Sequence, residues 1–319
     1  MNKKINSTAK ILITGATGFI GSHLIEKLLL TTKNIYVPYI AIEENSYFAI
    51  NNFQKKVKMK KLDLRQKEKV IDYIKVNKID YIIHLAAQTI VTDALNDPYY
   101  TIENNIISTL NILEAARTNA KIKGVIIASS DKAYGKTKNT YTEDSPLKGD
   151  HPYDVSKSAK DLIALTYYKT YNTPVVVTRF GNVYGEGDLH FSRIIPGICE
   201  AICKRKLLKI RSNGKYIRDY IYVKDVVNGY IHLLNNLDTT IGNAFNFSSN
   251  DTFSVLELID KAENIIGKKI KYTIKNSAKN EIPYQHLDDK KVRKTGWKPS
   301  YDINTTFPTI VEWYKKYAF

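Results

Sequence analysis

The chain has 319 residues, with 48 lysines and arginines against 32 aspartates and glutamates, which gives a formal net charge of +16 at pH 7. Because 43% of the residues are hydrophobic and 25% are charged, the composition excludes disordered, collagenous and coiled-coil chains. The length predicts about two domains of roughly 150 residues each. No apolar stretch approaches the ~20 residues that span a bilayer, so we expect no membrane partner.

Strand-length apolar runs alternate with helix-period segments from the start of the chain. The sequence predicts strands near 10–14, 34–40, 57–62, 79–84, 123–129 and 174–180, with helices near 19–31, 66–76, 98–118 and 153–171. This order is typical of a Rossmann-like α/β fold, in which a doubly wound parallel sheet has helices on both faces.

The pattern changes after Arg179 to a smaller, mixed segment. Here we predict an extended stretch near 217–222 and helices near 192–204, 223–236, 254–266 and 303–317. Ser254 and Glu257 have the spacing of a capping box at a helix start. Asn213-Gly214, between LLKI and YIRDYIYV, predicts a hairpin turn.

The N-terminal segment and the cysteines indicate the cellular compartment of the protein. MNKKINSTAK is followed by the apolar ILITGATGFIG, but glycines interrupt the apolar part and no small-residue cleavage site follows. We interpret this segment as a first strand and not as a signal peptide. Cys199 and Cys203 are too few for a disulfide framework or a metal quartet. A cytoplasmic setting and no metal site are therefore predicted.

The positive charge leaves a nucleic-acid binder as an alternative, because lysine and arginine neutralise phosphates and the 23 tyrosines can stack on bases. The lysines stand singly, however, and the whole chain is rich in Lys, Asn, Ile and Tyr. A basic surface equally attracts a small anion such as a nucleotide diphosphate. We expect no nucleic-acid partner.

A glycine-rich turn, GATGFIG, directly follows the first predicted strand and precedes the first helix. Gly15, Gly18 and Gly21 let the backbone approach a pyrophosphate, and the helix start offers free N–H groups to it. A plain tight turn is the alternative. At 37–39 the second strand ends in VPY, without the acidic residue that usually binds the ribose and without an arginine for a 2′-phosphate. We predict a bound dinucleotide, favouring NAD and leaving NADP open.

Two further motifs carry reactive side chains. Tyr153 and Lys157 are four residues apart at a helix start, so they share a face, and a lysine beside a tyrosine favours the phenolate that takes a proton from a hydroxyl. Ser130, Asp131 and Lys132 begin a polar loop where the strand VIIAS ends. Ser130 can bond a reacting hydroxyl, while the Asp-Lys pair offers an acid and a base. A surface loop with a local ion pair is the alternative reading of that loop.

These motifs resemble the extended short-chain dehydrogenase/reductases, specifically the nucleotide-sugar 4,6-dehydratases. The resemblance runs along the whole chain. It includes GATGFIG, LAAQ at 85–88, NNIISTLNILEAAR at 104–117, SSDKAYG, HPYDVSK, TRFGNVYGEGD at 178–188, RDYIYVKDVV at 218–227 and the late DDKKVRKTGWKPS.

The resemblance implies a set of site residues. Those implied to be catalytic are Ser130, Asp131, Lys132, Tyr153 and Lys157. Cofactor contacts are implied for Gly15, Thr17, Gly18, Phe19, Ile20, Gly21, Asp63, Leu64, Leu85, Ala86, Ala87, Tyr153 and Lys157, with Asp63 beside the adenine. Substrate contacts are implied for Gln88, Asn182, Arg193 and Arg218. We interpret His23, His84 and His151 as packed residues.

The pair after the catalytic serine separates the activities within the family. The 4-epimerases usually carry small uncharged residues there, whereas Asp131-Lys132 most resembles the CDP-glucose 4,6-dehydratases and also the UDP-N-acetylglucosamine dehydratases. The resemblance implies a lyase that converts an NDP-hexose to an NDP-4-keto-6-deoxyhexose by transient oxidation, water elimination and hydride return, in deoxysugar synthesis for surface polysaccharide. An NAD(P)-dependent nucleotide-sugar 4-epimerase or dehydrogenase/reductase stays the alternative, and the nucleotide base stays open.

The resemblance also implies domain boundaries and an assembly. A dinucleotide-binding Rossmann domain is expected over 1–181 and 220–247, and a nucleotide-sugar-binding domain over 182–219 and 248–319. The helices near 98–118 and 153–171 are those that pair as a four-helix bundle in the family, so a homodimer is expected.

Overall fold

A computed structural model describes residues 5–277 and 282–319 of the chain. None of the helices in these residues has both the length and the hydrophobicity that a membrane span requires. The strands, in chain order, are β1 Ile11–Thr14, β2 Ile35–Tyr39, β3 Lys58–Lys61, β4 Tyr81–His84, β5 Gly124–Ala128, β6 Val175–Phe180, β7 Asn182–Tyr184, β8 Leu208–Ile210, β9 Ile217–Tyr222, β10 Ala244–Phe247, β11 Thr252–Ser254, β12 Tyr272–Ile274 and β13 Tyr284–Gln285.

The helices alternate with these strands in the first part of the chain. They are α1 Phe19–Leu28, α2 Tyr47–Ile50, α3 Lys67–Asn77, α4 Val91–Asn96, α5 Pro98–Arg117, α6 Pro152–Tyr171, α7 Ile194–Lys204, α8 Val223–Asn235, α9 Leu237–Thr240, α10 Val255–Ile266, α11 Lys290–Lys294 and α12 Ile303–Tyr317.

Seven parallel strands form the central sheet in the order β10-β6-β5-β4-β1-β2-β3. The inner strands β1 and β6 are buried along their whole length, because helices cover both faces of the sheet. One face packs against α1 and α8 and the other against α3, α5 and α6. The predicted doubly wound α/β fold and its first six strands are confirmed.

The carboxyl ends of β1, β4 and β5 meet at one edge of the sheet, where parallel strands of this kind bind ligands. From this edge the chain turns into the glycine-rich segment after β1 and the Ser130 loop after β5. The remaining helices and short strands pack around a separate apolar core formed mainly by α7, α10, α12 and β9. The division into two domains stays a prediction.

The hairpin predicted at Asn213-Gly214 is wrong. β8 pairs in parallel with β12, whereas β9 pairs with β7, β11 and β13, so the two strands around the turn belong to different sheets. The turn itself exists, with Gly214 at φ +81°. Its carbonyl accepts the N–H of Leu256, in the first turn of α10, at 3.1 Å.

The predicted capping box is confirmed. Ser254 precedes α10 and accepts the Glu257 N–H at 3.3 Å, while the Glu257 carboxylate accepts the Ser254 N–H at 2.7 Å. This exchange satisfies two N–H groups that a helix start otherwise leaves unpaired.

Candidate active site

The turn after β1 packs tightly against the end of β4. Gly15 lies at φ +68°, and a Cβ there would stand 2.8 Å from the Ala86 nitrogen. A Cβ at Gly21 would stand 2.4 Å from the Gly15 carbonyl oxygen. Both positions therefore require glycine for the fold itself, whereas a Cβ at Gly18 would meet only the Gly15 oxygen, at 3.4 Å.

The start of α1 is open to a ligand. Gly18 is its N-cap, and no side chain of the described residues caps its first N–H groups. Thr17 donates its hydroxyl to the Ala41 carbonyl at 3.2 Å, and Phe19 and Ile20 form the first turn. Uncapped N–H groups at the positive end of a helix dipole suit an anion, so this turn fits the pyrophosphate of a dinucleotide.

The segment after β3 holds its acidic residue in an ion pair. Asp63 and Arg65 are 2.7 Å apart, and Arg65 also contacts Glu103 at 2.8 Å. The hydrogen bonds from Arg65 lower the pKa of Asp63, which keeps it charged. The Leu64 carbonyl accepts the Asn111 side-chain amide at 2.8 Å. An adenine contact by Asp63 stays a prediction.

The segment after β4 borders the glycine-rich turn. Ala86 donates its N–H to the Thr14 hydroxyl at 3.2 Å, and the neighbouring Leu85 and Ala87 are partly exposed. Gln88 is held by Asn105, whose side-chain oxygen accepts the Gln88 N–H at 2.7 Å. The Gln88 side-chain oxygen is buried and has no hydrogen-bond partner among the described residues, which leaves an acceptor for a ligand.

Tyr153 and Lys157 lie in the first two turns of α6. His151 accepts the Tyr153 N–H at 3.3 Å and so caps the helix. The Lys157 ammonium lies 5.6 Å from the centre of the Tyr153 ring and donates to the Ala128 carbonyl at 3.2 Å. The spacing thus brings the phenol and the amine together on the side of α6 that faces the end of β5.

Burial dominates the electrostatics of this pair. It raises the pKa of Tyr153, as does the Asp131 charge, while Arg193 and a hydrogen bond with Ser130 oppose the rise. Burial and then the Lys132 charge lower the pKa of Lys157 to about 8. A lysine whose pKa is close to neutral pH can lose or regain a proton under ordinary conditions, which suits proton transfer with Tyr153.

Asp131 is buried at the start of a short 3-10 turn, and its carboxylate contacts three side chains. Its Oδ1 accepts the Ser130 hydroxyl at 2.9 Å and lies 3.4 Å from Lys132 Nζ. Its Oδ2 accepts the side-chain amide of Gln285 at 3.2 Å. The structure therefore brings the predicted Ser130, Asp131 and Lys132 together with a glutamine that the sequence did not indicate.

Three of the predicted substrate residues lie on β7, at the start of α7 and on β9. Asn182 donates its side-chain amide to the Asp219 carbonyl at 3.3 Å. Arg193 is the N-cap of α7, one residue before the helix begins, and pairs with Asp188 at 3.0 Å. Arg218 lies on β9, where it is the register partner of Gln285. Their contacts with a substrate stay predictions.

The three histidines that the sequence predicted to be packed, His23, His84 and His151, are buried. Both ring nitrogens of the buried His84 contact hydroxyls, Thr14 at 2.8 Å and Thr109 at 3.0 Å. His23 contacts the Glu186 carbonyl at 2.7 Å. These ring contacts hold parts of the fold together, and none of them is with Tyr153 or Asp131.

The open helix start and the tyrosine–lysine pair of α6, at one edge of a parallel sheet, define an extended short-chain dehydrogenase/reductase. The family model described as GDP-mannose 4,6 dehydratase matches residues 12–319, and the chain belongs to this family.

Known relatives include both dehydratases and epimerases. The chain is 32% identical to a dTDP-D-glucose 4,6-dehydratase of Dictyostelium discoideum, over 80% of this chain and 62% of the relative. It is 28% identical to a putative UDP-glucose 4-epimerase of Methanocaldococcus jannaschii, over 96% and 98%. The structure of a dTDP-glucose 4,6-dehydratase from Bacillus anthracis in complex with NAD is 26% identical, with a TM-score of 0.85 and 97% of each chain covered.

Proposed function

We propose that the protein is a nucleotide-sugar 4,6-dehydratase. The observation that carries the proposal is the ion pair of the buried Asp131 with the partly exposed Lys132, which directly follows Ser130, with Asp131 close enough to act on the charge of Tyr153. A 4-epimerase needs a group that moves the proton of the 4-hydroxyl, which Tyr153 supplies, but it needs no acid at a second hydroxyl. The additional acid–base pair therefore favours elimination.

The dinucleotide cradle fits NAD. Gly15 and Gly21 leave no room for side chains, the start of α1 is uncapped, and β2 ends in Val37, Pro38 and Tyr39 without an arginine for a 2′-phosphate. When bound, NAD would be held by the glycine-rich turn and the start of α1, and it would supply the acceptor and donor of the hydride that moves from carbon 4 to carbon 6 of the sugar. Its positive ring would also favour a phenolate at Tyr153. The Bacillus anthracis relative with NAD supports this choice of cofactor.

Tyr153 and Lys157 begin the reaction in this proposal. Tyr153 takes the proton of the 4-hydroxyl as a phenolate, and Ser130 bonds the same oxygen. Lys157, with its pKa lowered to about 8, stabilises the phenolate when charged. The resulting 4-ketone makes the proton on carbon 5 acidic.

Asp131 and Lys132 then carry out the elimination. Transfer of one proton from Lys132 Nζ to Asp131 Oδ1, across 3.4 Å, converts the ion pair into a neutral acid and a neutral amine. Exclusion of water by a bound substrate favours this neutral form. Lys132 removes the carbon-5 proton, Asp131 protonates the 6-hydroxyl, the bond from carbon 6 to oxygen breaks and water leaves. Return of the carbon-5 proton from Lys132 completes the sugar.

The proposal includes a homodimeric assembly and a cytoplasmic location. Exposed apolar side chains lie on adjacent helices, Ile102 and Ile107 on α5 and Val155 and Leu162 on α6, which supports a homodimer through these helices. The two free cysteines on α7 support a cytoplasmic enzyme. The substrate is a nucleotide diphosphate sugar.

A 4-epimerase is the second candidate, supported by the full-length match to the Methanocaldococcus jannaschii relative. The experiment that separates the two is mass spectrometry of purified protein incubated with CDP-, UDP-, dTDP- and GDP-hexoses. A product lighter by one water from any of them supports the dehydratase and identifies the nucleotide. Epimers without loss of water would contradict it.

Replacement of Asp131 separates the two halves of the reaction. Asp131→Asn preserves the size and the contacts with Ser130 but removes the proton donor, so we expect dehydration to fall by about 100-fold or more. Oxidation at carbon 4 is expected to continue, seen as reduced nicotinamide by its near-ultraviolet absorbance. Tyr153→Phe is the matched control and is expected to abolish both. Full dehydration by Asp131→Asn would exclude Asp131 as the acid.

A further inference from the structure

Gln285 reaches the active loop from a distant part of the chain. It lies on β13, only 2% exposed, and its amide donates to Asp131 Oδ2 at 3.2 Å across 154 residues of sequence. Parallel pairing places Gln285 beside Arg218 of β9, so both side chains lie on one face of this small sheet. Gln285 thus contacts the predicted acid and lies beside Arg218, a predicted substrate residue.

The backbone on either side of Gln285 is held firmly. The His286 carbonyl accepts the Tyr141 N–H at 2.8 Å, and the Tyr141 carbonyl accepts the Asp288 N–H at 2.8 Å. The buried carboxylate of Asp219 accepts the Leu287 N–H at 2.8 Å and contacts His286 Nδ1 at 2.7 Å. These bonds join β13 to β9 and to the loop after Asp131. Gln285 is therefore presented to Asp131 at a defined position.

The chemistry of an amide suits an acid that must gain and lose a proton. A carboxylate accepts from the amide nitrogen, and a carboxylic acid can donate to the amide oxygen after the amide rotates. A lysine or arginine at this position would bond only the carboxylate and would hold Asp131 in its ionised form. The neutral glutamine adds no charge beside Asp131.

We propose that Gln285 is a positioning residue for Asp131, holding Oδ2 so that Oδ1 delivers its proton to the departing 6-hydroxyl. This inference rests on the proposed dehydratase function and extends it to a residue outside the catalytic loop. The proton passes from Asp131 to the sugar oxygen and the bond between carbon 6 and that oxygen breaks, so Gln285 itself neither gains nor loses an atom.

The first test replaces Gln285 by methionine, a side chain of nearly equal size. Gln285→Met removes the hydrogen bond and keeps the length, so we expect dehydration to fall about 10- to 100-fold, as for loss of a bond to a charged group. The rate of the first oxidation is expected to stay within about twofold of the original protein. Reduced nicotinamide then accumulates in a single turnover. Gln54→Leu, at an exposed glutamine, is the control for general damage.

Gln285→Glu provides an independent readout. Its carboxyl can share one proton with Asp131, so we expect dehydration to recover as the pH is lowered and to fall at high pH more steeply than in the original protein. Among the described residues, the other titratable groups that interact with Asp131 are Lys132 on its own turn and Tyr141, Tyr153 and Asp154 on the elements packed against it, and all are unchanged in this variant. A merely structural role would not move this pH profile.

Failure of the inference differs from failure of the proposed function. If the original protein loses water from a sugar but Gln285→Met gives the same ratio of product to reduced nicotinamide, Gln285 does not position Asp131. An unshifted pH profile for a folded Gln285→Glu leads to the same conclusion if Gln285→Met does not fold. If the original protein loses no water from any sugar, both proposals are overturned together.

Discussion

At the scale of single residues, the start of α6 concentrates buried titratable groups. Tyr153, Asp154 and Lys157 are each less than 9% exposed. Burial lowers the pKa of Lys157 to about 8 and raises that of Asp154 to about 7. Such shifts disfavour the charged forms and cost stability, which a protein tolerates where the groups serve its chemistry.

Asp154 gives a stability prediction with a defined sign. Its pKa is 3.8 when unfolded and about 7 when folded, so between these values the folded protein binds more protons and its stability falls as the pH rises. Asp154→Asn removes this penalty. We expect the variant to be more stable by roughly 2 kcal/mol at pH 8 and equal to the original below about pH 4, measured by urea unfolding.

The control for Asp154 is an aspartate on the surface. Asp72→Asn, at an exposed position of α3, is expected to change the free energy of unfolding by less than about 0.5 kcal/mol at either pH. A gain for Asp154→Asn that is the same at pH 4 and pH 8 would show that its carboxyl is not the source.

At the scale of elements, the unit from β1 through the turn to α1 combines two uses of glycine. Gly15 is required by its positive φ and by the Ala86 backbone 2.8 Å from the position of a Cβ. Gly18 has an ordinary φ of −86° and open space around the position of a Cβ, apart from the Gly15 oxygen. The first serves the fold, and we expect the second to serve the ligand.

Alanine at the two glycines distinguishes these uses. Gly15→Ala is expected to lower the free energy of unfolding by about 2–4 kcal/mol without any cofactor, because the backbone is strained and crowded there. Gly18→Ala is expected to fold with nearly unchanged stability but to bind NAD at least about tenfold more weakly, measured by calorimetry. Equal NAD affinity in Gly18→Ala and the original protein would show that the pyrophosphate does not approach Gly18.

At the scale of the whole molecule, segments far apart in sequence meet at the site. The loop after β5 contributes Asp131 and β13 contributes Gln285, and a small buried cluster of Tyr134, Tyr141 and Leu287 packs between the two segments. On the outside, α5 and α6 carry apolar side chains that stay exposed among the residues the structure describes. The contact between the Asp131 loop and β13 is thus buried, whereas the apolar face of α5 and α6 is exposed.

The exposed apolar face of α5 and α6 predicts that one charged side chain placed there prevents dimer formation. Leu162, 54% exposed on α6, would be buried in the proposed homodimer, so we expect Leu162→Glu to convert a particle of about twice 36.4 kDa into a monomer. Light scattering after size-exclusion chromatography measures this. Leu207→Glu, at a position 52% exposed before β8, is the matched control and should leave the dimer intact. A monomeric original protein would contradict the assembly.

Much of the fold and part of the candidate site were predictable from sequence because their signals are local. The apolar periods of β1 to β6 and of α5 and α6 extend over consecutive residues, and the structure reproduces them to within a few residues. The glycine turn, the tyrosine–lysine pair and the Ser130 loop are each contained in fewer than ten residues. Short-range backbone geometry determines such motifs almost independently of the rest of the chain.

Only the tertiary structure decided the pairings between distant segments. The turn at Gly214 had a hairpin sequence, yet β8 pairs with β12 and β9 pairs with β7, β11 and β13. Gln285 contacts Asp131 although nothing in the residues around it indicates an active site. The physical reason is that strand pairing and burial depend on how the whole core closes, and a local pattern carries no information about which remote segment completes it.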